Sequence, residues 1–415
     1  MSNTVPSGWS VHELGDLAHK IEGGGTPSRT EASFWNGNIP WATVKDLRAV
    51  SLRSTEEHIT ELGLKNSSSK LIPANTIIIA TRMAVGKAVF FDRDVAINQD
   101  LKAFHPKNGI NWRFLLQWYL AKSEKIESLA TGSTVKGIRL DELKLLPIDL
   151  PPLPEQQKIA AILSSVDDVI EKTRAQIDKL KDLKTGMMQE LLTKGIGHTE
   201  FKDSPVGRIP SNWYCVKMNT IAKVNDGAHH TPTYTSSGIP FLRVTDLKSK
   251  HIFTGSIKYI SREEHSELIK RCKPEKGDIL YSKNGTIGIP RLIDWDDEFS
   301  IFVSLALIKI TSAEVDPEYL ALFMDSPIVR EQIRARSKQG TVTNLHLEEI
   351  RDFDIPLPSM DEQQKITRAL NSVVHRLNVA FEKYDSNQKL KKALMQDLLN
   401  GKVRVKVDQK EPAVA

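Results

Sequence analysis

Leu153-Pro154-Glu155-Gln156-Gln157-Lys158-Ile159 decides how this chain folds, because it occurs twice. It returns as Met360-Asp361-Glu362-Gln363-Gln364-Lys365-Ile366, and Met188-Gln189-Glu190-Leu191-Leu192 returns as Met395-Gln396-Asp397-Leu398-Leu399, both at an offset of 207 residues. Between these anchors Ile159, Leu163, Val166, Ile170, Ile177, Leu183, Met187 and Leu191 correspond to Ile366, Leu370, Val373, Leu377, Tyr384, Leu390, Leu394 and Leu398. The steps are mostly three or four residues, the spacing of a helical seam. Two helices of about 40 residues, roughly 60 Å long at 1.5 Å per residue, are therefore expected. A helix of that length with a continuous apolar stripe needs a partner. The other copy, packed antiparallel as a coiled coil, is the expected one; the alternative is that each helix packs on its own domain.

Working outward, the repeat extends upstream of both helices. Pro6-Ser7-Gly8-Trp9 is matched by Pro210-Ser211-Asn212-Trp213, and Thr26-Pro27 by Thr231-Pro232. Ile39-Pro40-Trp41-Ala42-Thr43-Val44-Lys45-Asp46-Leu47 parallels Ile239-Pro240-Phe241-Leu242-Arg243-Val244-Thr245-Asp246-Leu247, and reads as a strand. Thr76-Ile77-Ile78-Ile79 leading to Gly86 parallels Asp278-Ile279-Leu280-Tyr281 leading to Gly288. The offset drifts early in each half and is constant from Thr134/Thr341 onward. Loops tolerate such insertions, whereas one residue added to a packed helix turns its seam by about 100 degrees. The reading is an α+β chain with a pseudo-twofold internal repeat. Globular domains span 1–150 and 201–357, a long helix with its linker spans 151–200, a second long helix spans 358–402, and a tail expected to be disordered spans 403–415. Residues 195–210 read as a linker rich in Gly, Ser and Pro. A chain built from two related halves suits a partner that is itself nearly twofold, such as duplex DNA.

The 415 residues allow two or three domains, and the net charge of +5 permits nucleic-acid binding without requiring it. The opening residues 1–15 lack the apolar run of a signal peptide, and no stretch approaches the roughly 18 apolar residues of a membrane span. Cys215 and Cys272 lack metal-ligand spacing and read as reduced, packed thiols of a cytoplasmic protein.

No catalytic constellation emerges. Leu150-Pro151-Pro152-Leu153 superficially resembles the Asn/Asp-Pro-Pro-aromatic motif of amino-methyltransferases, but lacks both its polar and its aromatic residue. Gly23-Gly24-Gly25 is not followed by the Gly-Lys-Ser/Thr of a P-loop and reads as a turn with positive φ. His229-His230 has no third ligand at useful spacing for a metal.

Candidate contact residues come from positions where the halves match in pattern and differ in chemistry. Strand alternation would bury Ala42 and Val44 and turn Thr43 and Lys45 outward; in the second half it would bury Leu242 and Val244 and turn Arg243 and Thr245 outward. Arg can grip guanine bidentately, and Lys or Thr reads otherwise; the alternative is a solvated strand face. After the next strand, Thr81, Arg82 and Lys87 stand against Lys283, Asn284 and Thr286. Thr134 and Lys136 in one half, and Thr341 and Asn344 in the other, offer small polar donors before each Pro-rich junction, either as phosphate contacts or as turn caps.

Taken together, the Leu-Pro-Glu-Gln-Gln-Lys-Ile helix start and its repeat, Gly-Gly-Thr-Pro-Ser followed by Phe-Trp-Asn-Gly-Asn-Ile-Pro-Trp within residues 23–47, and Gly277-Asp278-Ile279-Leu280 leading to Gly285-Thr286-Ile287-Gly288 resemble the specificity subunit of type I restriction–modification enzymes. The resemblance runs from Trp9 to about Leu399. It departs from the pattern in the first half, where Asn75-Thr76-Ile77-Ile78 replaces Gly-Asp-Ile-Leu and Met83-Ala84 replaces Gly-Thr. The resemblance implies two target-recognition domains, each reading one half of a split, asymmetric site in double-stranded DNA. It implies that the helices set the spacer and dock two modification (methyltransferase) subunits, with Ile159, Leu163, Val166, Ile170, Ile366, Leu370, Val373 and Leu377 on the seam, and that restriction subunits join them. It also implies a non-catalytic chain that holds no cofactor, S-adenosylmethionine, ATP and Mg belonging to the partners. Two competing readings are an enzyme with an unrecognised active site and a structural coiled-coil protein. The chain is too short for the first if restriction chemistry is included, and the second leaves the divergence of the globular domains unexplained.

Overall fold

Both copies of the Glu-Gln-Gln-Lys stretch open a helix of 39 residues, Leu153–Leu191 and Met360–Leu398. The computed structural model describes residues 5–132, 135–248, 257–336 and 344–407. The chain divides into two units whose boundaries fall inside these helices: Met1–Arg174 with Glu382–Ala415, and Ala175–Phe381. Each unit thus holds one globular domain, the opening half of that domain's own long helix and the closing half of the other.

In the first unit, Ile159 and Leu163 share a core with Leu394, Met395, Leu398 and Leu399. Asp167 and Lys391 pair across the same two helices at 2.6 Å. In the second unit, Ile366 and Leu370 share a core with Met187, Met188, Leu191 and Leu192, and Lys181 Nζ lies 5.4 Å from the Phe381 ring centroid. Early turns of one helix meet late turns of the other in both units, so the paired segments run antiparallel. Ile159, Leu163, Ile366, Leu370 and Val373 are buried as the seam requires, and Val166, Ile170 and Leu377 are half-buried. Leu183 and Leu390, also expected on the seam, are 47% and 48% exposed. From the buried Ile177, the helix returns to the same face at Met188 after about three turns, while Leu183 lies about 120 degrees away.

The repeated Glu and Gln have a definite task. Glu155 accepts from Trp9 Nε1 at 3.0 Å and from Arg404 Nε and Nη2 at 2.7 and 2.8 Å. Glu362 accepts from Trp213 Nε1 at 3.0 Å and from the Ile196 amide at 2.9 Å, with His198 Nε2 at 2.7 Å. Gln156 and Gln363 accept, each at 2.8 Å, from the amides of Asn111 and Asp316, the residues that cap the domains' Trp112–Ala121 and Pro317–Met324 helices. Each long helix is therefore clamped by its first turn to its own domain and to the segment that follows the other helix. Residues 403–407, expected to begin a disordered tail, take part in this: Arg404 grips Glu155 and Val405 packs on the first unit's core. The rest of that expected tail, 408–415, lies outside the described residues. The expected linker is also structured, because Phe201–Ser204 and Gly207–Pro210 form an antiparallel hairpin that buries Ile209.

The domains share one topology. In the first, a sheet is ordered Ala18–Gly23, Leu101–Pro106, Ile77–Ala80, Ala88–Phe91, Ser51–Leu52. In the second, the order is Ala222–Asp226, Leu305–Ile310, Ile279–Ser282, Pro290–Leu292. A second sheet in each centres on the Ile-Pro strand, Trp35–Ala42 or Ile239–Leu242, which pairs parallel with Val95–Ile97 or Ser300–Ile301. A two-stranded ribbon closes each domain, Ser10–Glu13 with Pro147–Leu150 and Tyr214–Lys217 with Asp354–Leu357, and delivers the chain to its helix. Among the described residues no helix is long and apolar enough to cross a membrane.

The glycine run has a different cause from the one expected. Residues 23–25 do not have positive φ. A Cβ on Gly24 would lie 1.8 Å from the Ile97 carbonyl oxygen, and one on Gly227 would lie 1.9 Å from that of Ile301. Close backbone approach, in both copies, is what demands glycine here.

Candidate nucleic-acid interface

The strand carrying the first candidates is shorter than its apolar pattern suggests. It ends at Ala42, and Thr43 caps a 3-10 turn, Val44–Asp46. The Thr43 amide donates to Asp46 Oδ2 at 2.8 Å, and the Glu56 amide donates to Asp46 Oδ1 at 2.8 Å. In the second domain the strand ends at Leu242, and the Arg243 amide donates to Asp246 Oδ2 at 2.8 Å. The Arg243 guanidinium also turns back onto Asp246, with Nε 3.2 Å away, and Thr245 Oγ1 lies 3.4 Å from the same carboxylate. Strand alternation therefore does not place Thr43, Lys45, Arg243 and Thr245; a buried aspartate that gathers the turn does. Ala42 and Leu242 are buried as expected, Val44 and Val244 are half-buried, and Lys45 and Thr245 are exposed.

The next loop is superposable in its hydrogen bonds. The Thr81 amide donates to the Asp100 carbonyl at 2.9 Å, and the Ile138 amide donates to the Thr81 carbonyl at 2.9 Å. The Lys283 amide donates to the Ser304 carbonyl at 3.0 Å, and the Leu345 amide donates to the Lys283 carbonyl at 2.8 Å. Arg82 bridges to Gly137 as Asn284 bridges to Asn344. Thr81 thus stands where Lys283 stands, and Arg82 where Asn284 stands. The departures of the first copy do not disturb this: Asn75 and Met83 adopt φ of 61° and 60°, where Gly277 and Gly285 have 91° and 76°.

These bonds bring the candidates of each domain together. In the first, Lys87 Nζ donates to the Leu47 carbonyl at 3.2 Å, beside the Thr43–Asp46 turn. The Met83 amide donates to the Lys136 carbonyl at 2.9 Å, and Arg82 approaches Asp100 at 3.5 Å. In the second, Ser304 joins both loops, accepting from the Val244 amide through Oγ at 3.3 Å and from Lys283 through its carbonyl. Lys136, Thr286 and Asn344 are exposed and Asn284 is half-buried. Thr134 and Thr341 lie outside the described residues.

Lys283 is not an exposed contact. It is 7% exposed and its Nζ lies 3.4 Å from Asp226 Oδ2. Asp226, 3% exposed, also receives Arg271 Nη2 at 2.5 Å, with His229 Nε2 3.0 Å away. The sequence reading missed Asp226 and Arg271, and considered His229 only as a metal ligand. The usable signal was an aspartate at the strand position that holds Gly23 in the first copy. Across the strand from Gly23 the first domain places Lys102, whose Nζ donates to the Gln99 carbonyl at 3.0 Å, and burial holds that ammonium below the usual lysine range. The second domain has Ala306 at that place. Among the described residues no group of three His, Cys, Asp or Glu side chains is arranged to hold a metal. Cys272 is buried, and burial, reinforced by Asp226, pushes its thiol up to about 12.

What the geometry defines is a pair of domains with one backbone, each presenting a differently furnished cluster of polar and basic loops, joined to paired long helices. The sequence matches the family described as type I restriction modification DNA specificity domain over residues 6–182 and again over 210–392. The chain belongs to that family and carries its domain twice. It is 27% identical over 97% of its length to the type I restriction enzyme MjaIX specificity subunit of Methanocaldococcus jannaschii, covering 95% of that protein. Over 37% of its length it is 36% identical to the EcoR124I/EcoR124II specificity subunit of Escherichia coli, covering 40% of that protein. The crystal structure of an S subunit from M. genitalium shares the fold, with a TM-score of 0.63 at 15% identity, covering 96% of this chain and 98% of that one.

Proposed function

We propose that this chain is the non-catalytic DNA-specificity subunit of a type I restriction–modification complex, in which residues 1–150 read one half of a bipartite site and residues 201–357 read the other. The observation that carries this is the exchange of side-chain chemistry on one backbone: Thr81 for Lys283, Arg82 for Asn284, Gly23 for Asp226. A scaffold built to read two different sequences keeps its frame and changes its reading loops, from exposed groups such as Arg82 to the buried supports beneath them such as Lys283 and Asp226. The long helices set the spacer and dock two modification subunits, to which restriction subunits are added. Methyl transfer, with its S-adenosylmethionine, and ATP-driven cleavage with Mg belong to those partners, and the complex works on double-stranded DNA in the cytoplasm.

The test is to co-express the chain with its modification subunit and map methylated adenines by sequencing. The expected result is a split motif methylated on both strands. Replacing residues 1–149 by the matching domain of a relative should then change one half of the motif only. Change in both halves would sink the domain-wise reading.

A further inference from the structure

The reading of the second domain as a half-site reader leaves open which group reads, and Arg243, the arginine its sequence pattern offers, is turned back onto Asp246. A second arginine is held differently. Asp226 is a buried carboxylate at the end of strand Ala222–Asp226, and Lys283, itself buried, already supplies it with one cation at 3.4 Å. Arg271 adds a second through Nη2, while 57% of its side chain stays exposed. His229 Nε2 lies 2.9 Å from the same nitrogen, flanking the guanidinium. One carboxylate thus faces two basic side chains, and the second of them is a planar group at the surface tethered to a buried one. A stabilising ion pair needs only the first cation. A guanidinium held in one orientation loses less freedom on binding, and its fork matches two acceptors on one edge. The cluster also adjoins the loops that sequence comparison singles out: Lys283 continues into Asn284, which bridges to Asn344.

We infer that Arg271, aimed by Asp226 as a positioning residue, is the base-reading group of the second domain and takes the paired acceptors of a guanine edge in the major groove. The inference rests on the DNA-recognition reading above and deepens it. The first domain is furnished differently: Lys102 stands opposite Gly23, and the guanidinium beside a buried aspartate is that of Arg82, 3.5 Å from Asp100.

The test compares the wild-type complex with Arg271→Lys and Asp226→Asn, each co-expressed with the modification subunit and offered a plasmid library of random sequence whose modified adenines are mapped. Arg271→Lys keeps the charge and removes the fork. It should relax the motif at one position of one half-site, lowering discrimination there on the order of tenfold to a hundredfold, and leave the other half-site unchanged. Asp226→Asn should relax the same position although Arg271 is intact, which loss of stability alone would not do. If Asp226→Asn does not fold, the exposed Arg271→Lys still decides. An unchanged motif with uniformly weaker methylation, and a salt dependence of DNA binding shallower by about one phosphate contact, would make Arg271 a backbone contact and overturn the inference. No bipartite motif from the wild-type complex would overturn the reading on which it rests, and is distinguishable from a wild-type motif that Arg271→Lys leaves intact.

Discussion

Two regions of each domain behave in opposite ways. Where a domain meets its long helix, the halves hold the same chemistry: Trp9 and Trp213 each donate to a buried glutamate at 3.0 Å, and Gln156 and Gln363 each accept a helix-capping residue's amide at 2.8 Å. At the loop ends of the sheet the backbone is the same and the chemistry is exchanged. Thr81, Gly23 and Lys102 in the first domain stand where Lys283, Asp226 and Ala306 stand in the second. A junction that has one mechanical task admits one solution, because a buried carboxylate or amide is stable only with its partners in place. A surface that meets different ligands is free to differ, provided each new buried charge arrives with its counter-charge, as Lys283 does with Asp226. Even the junctions differ in their last partner, which is Arg404 for Glu155 and His198 with the Ile196 amide for Glu362.

The largest effects should come from the shared junction. Glu155→Ala and Glu362→Ala each orphan an indole N–H and remove a buried charge's hydrogen bonds, which should cost about 3 kcal/mol apiece. Urea unfolding followed by domain-specific hydrogen exchange should show the loss confined to the unit carrying the substitution. Equal loss in both units from either variant would break the picture of two matched, separate anchors. At the exchanged site the comparison sharpens. Lys283→Ala leaves Asp226 buried with Arg271 and His229 and should cost about 2 kcal/mol. Thr81→Ala, at the same backbone position, removes one hydroxyl bond to the Asp100 carbonyl, seen at 3.1 Å, and should cost about 1 kcal/mol. Equal costs in equilibrium unfolding would mean that the two positions are not energetically distinct. The smallest effect tests the shared backbone. A side chain in the left-handed region costs about 1–2 kcal/mol, and glycine's extra freedom in the unfolded chain takes back about 0.5–1 kcal/mol. Met83→Gly, at an exposed position where the other copy has Gly285, should therefore raise stability by about 0.5–1 kcal/mol in thermal unfolding. A loss would show that the Met83 side chain contributes contacts that outweigh its backbone strain.

Much of this architecture could be read directly. The two helices were legible because a 3.6-residue period sustained over ten turns has few alternative explanations, and the proline-rich junctions marked their starts within a residue or two. The candidate loops stand out as places where a matched pattern changes chemistry, and among the described residues backbone hydrogen bonds join the loop of Arg82 to that of Lys136 and the loop of Lys283 to that of Asn344. Their details were not legible. Ile-Pro-Trp-Ala-Thr-Val-Lys reads as one alternating strand, and local apolar pattern cannot reveal that an aspartate four residues after Ala42 draws the backbone into a turn. On an alternating strand Arg243 would point outward; the turn instead brings Asp246 back to its guanidinium. Leu183 and Leu390 fit the seam's spacing one step at a time, but the accumulated rotation carries them off the buried face.

The sequence by itself determined the repeat, the order of domain and helix, the antiparallel pairing expected of two like stripes, and the family. The repeat, the order and the pairing follow from periodicity and spacing, and the family from the resemblance of particular motifs; all are properties of neighbours along the chain. Only the tertiary structure decided that Glu155 is held by an arginine 249 residues away, that Lys283 is buried against Asp226, and that Arg271 stays exposed while paired with that same buried carboxylate. Those facts depend on which charges the fold brings within a few ångströms of each other in a medium of low dielectric, where pairing outweighs chain separation. Pattern along the chain carries no measure of that distance.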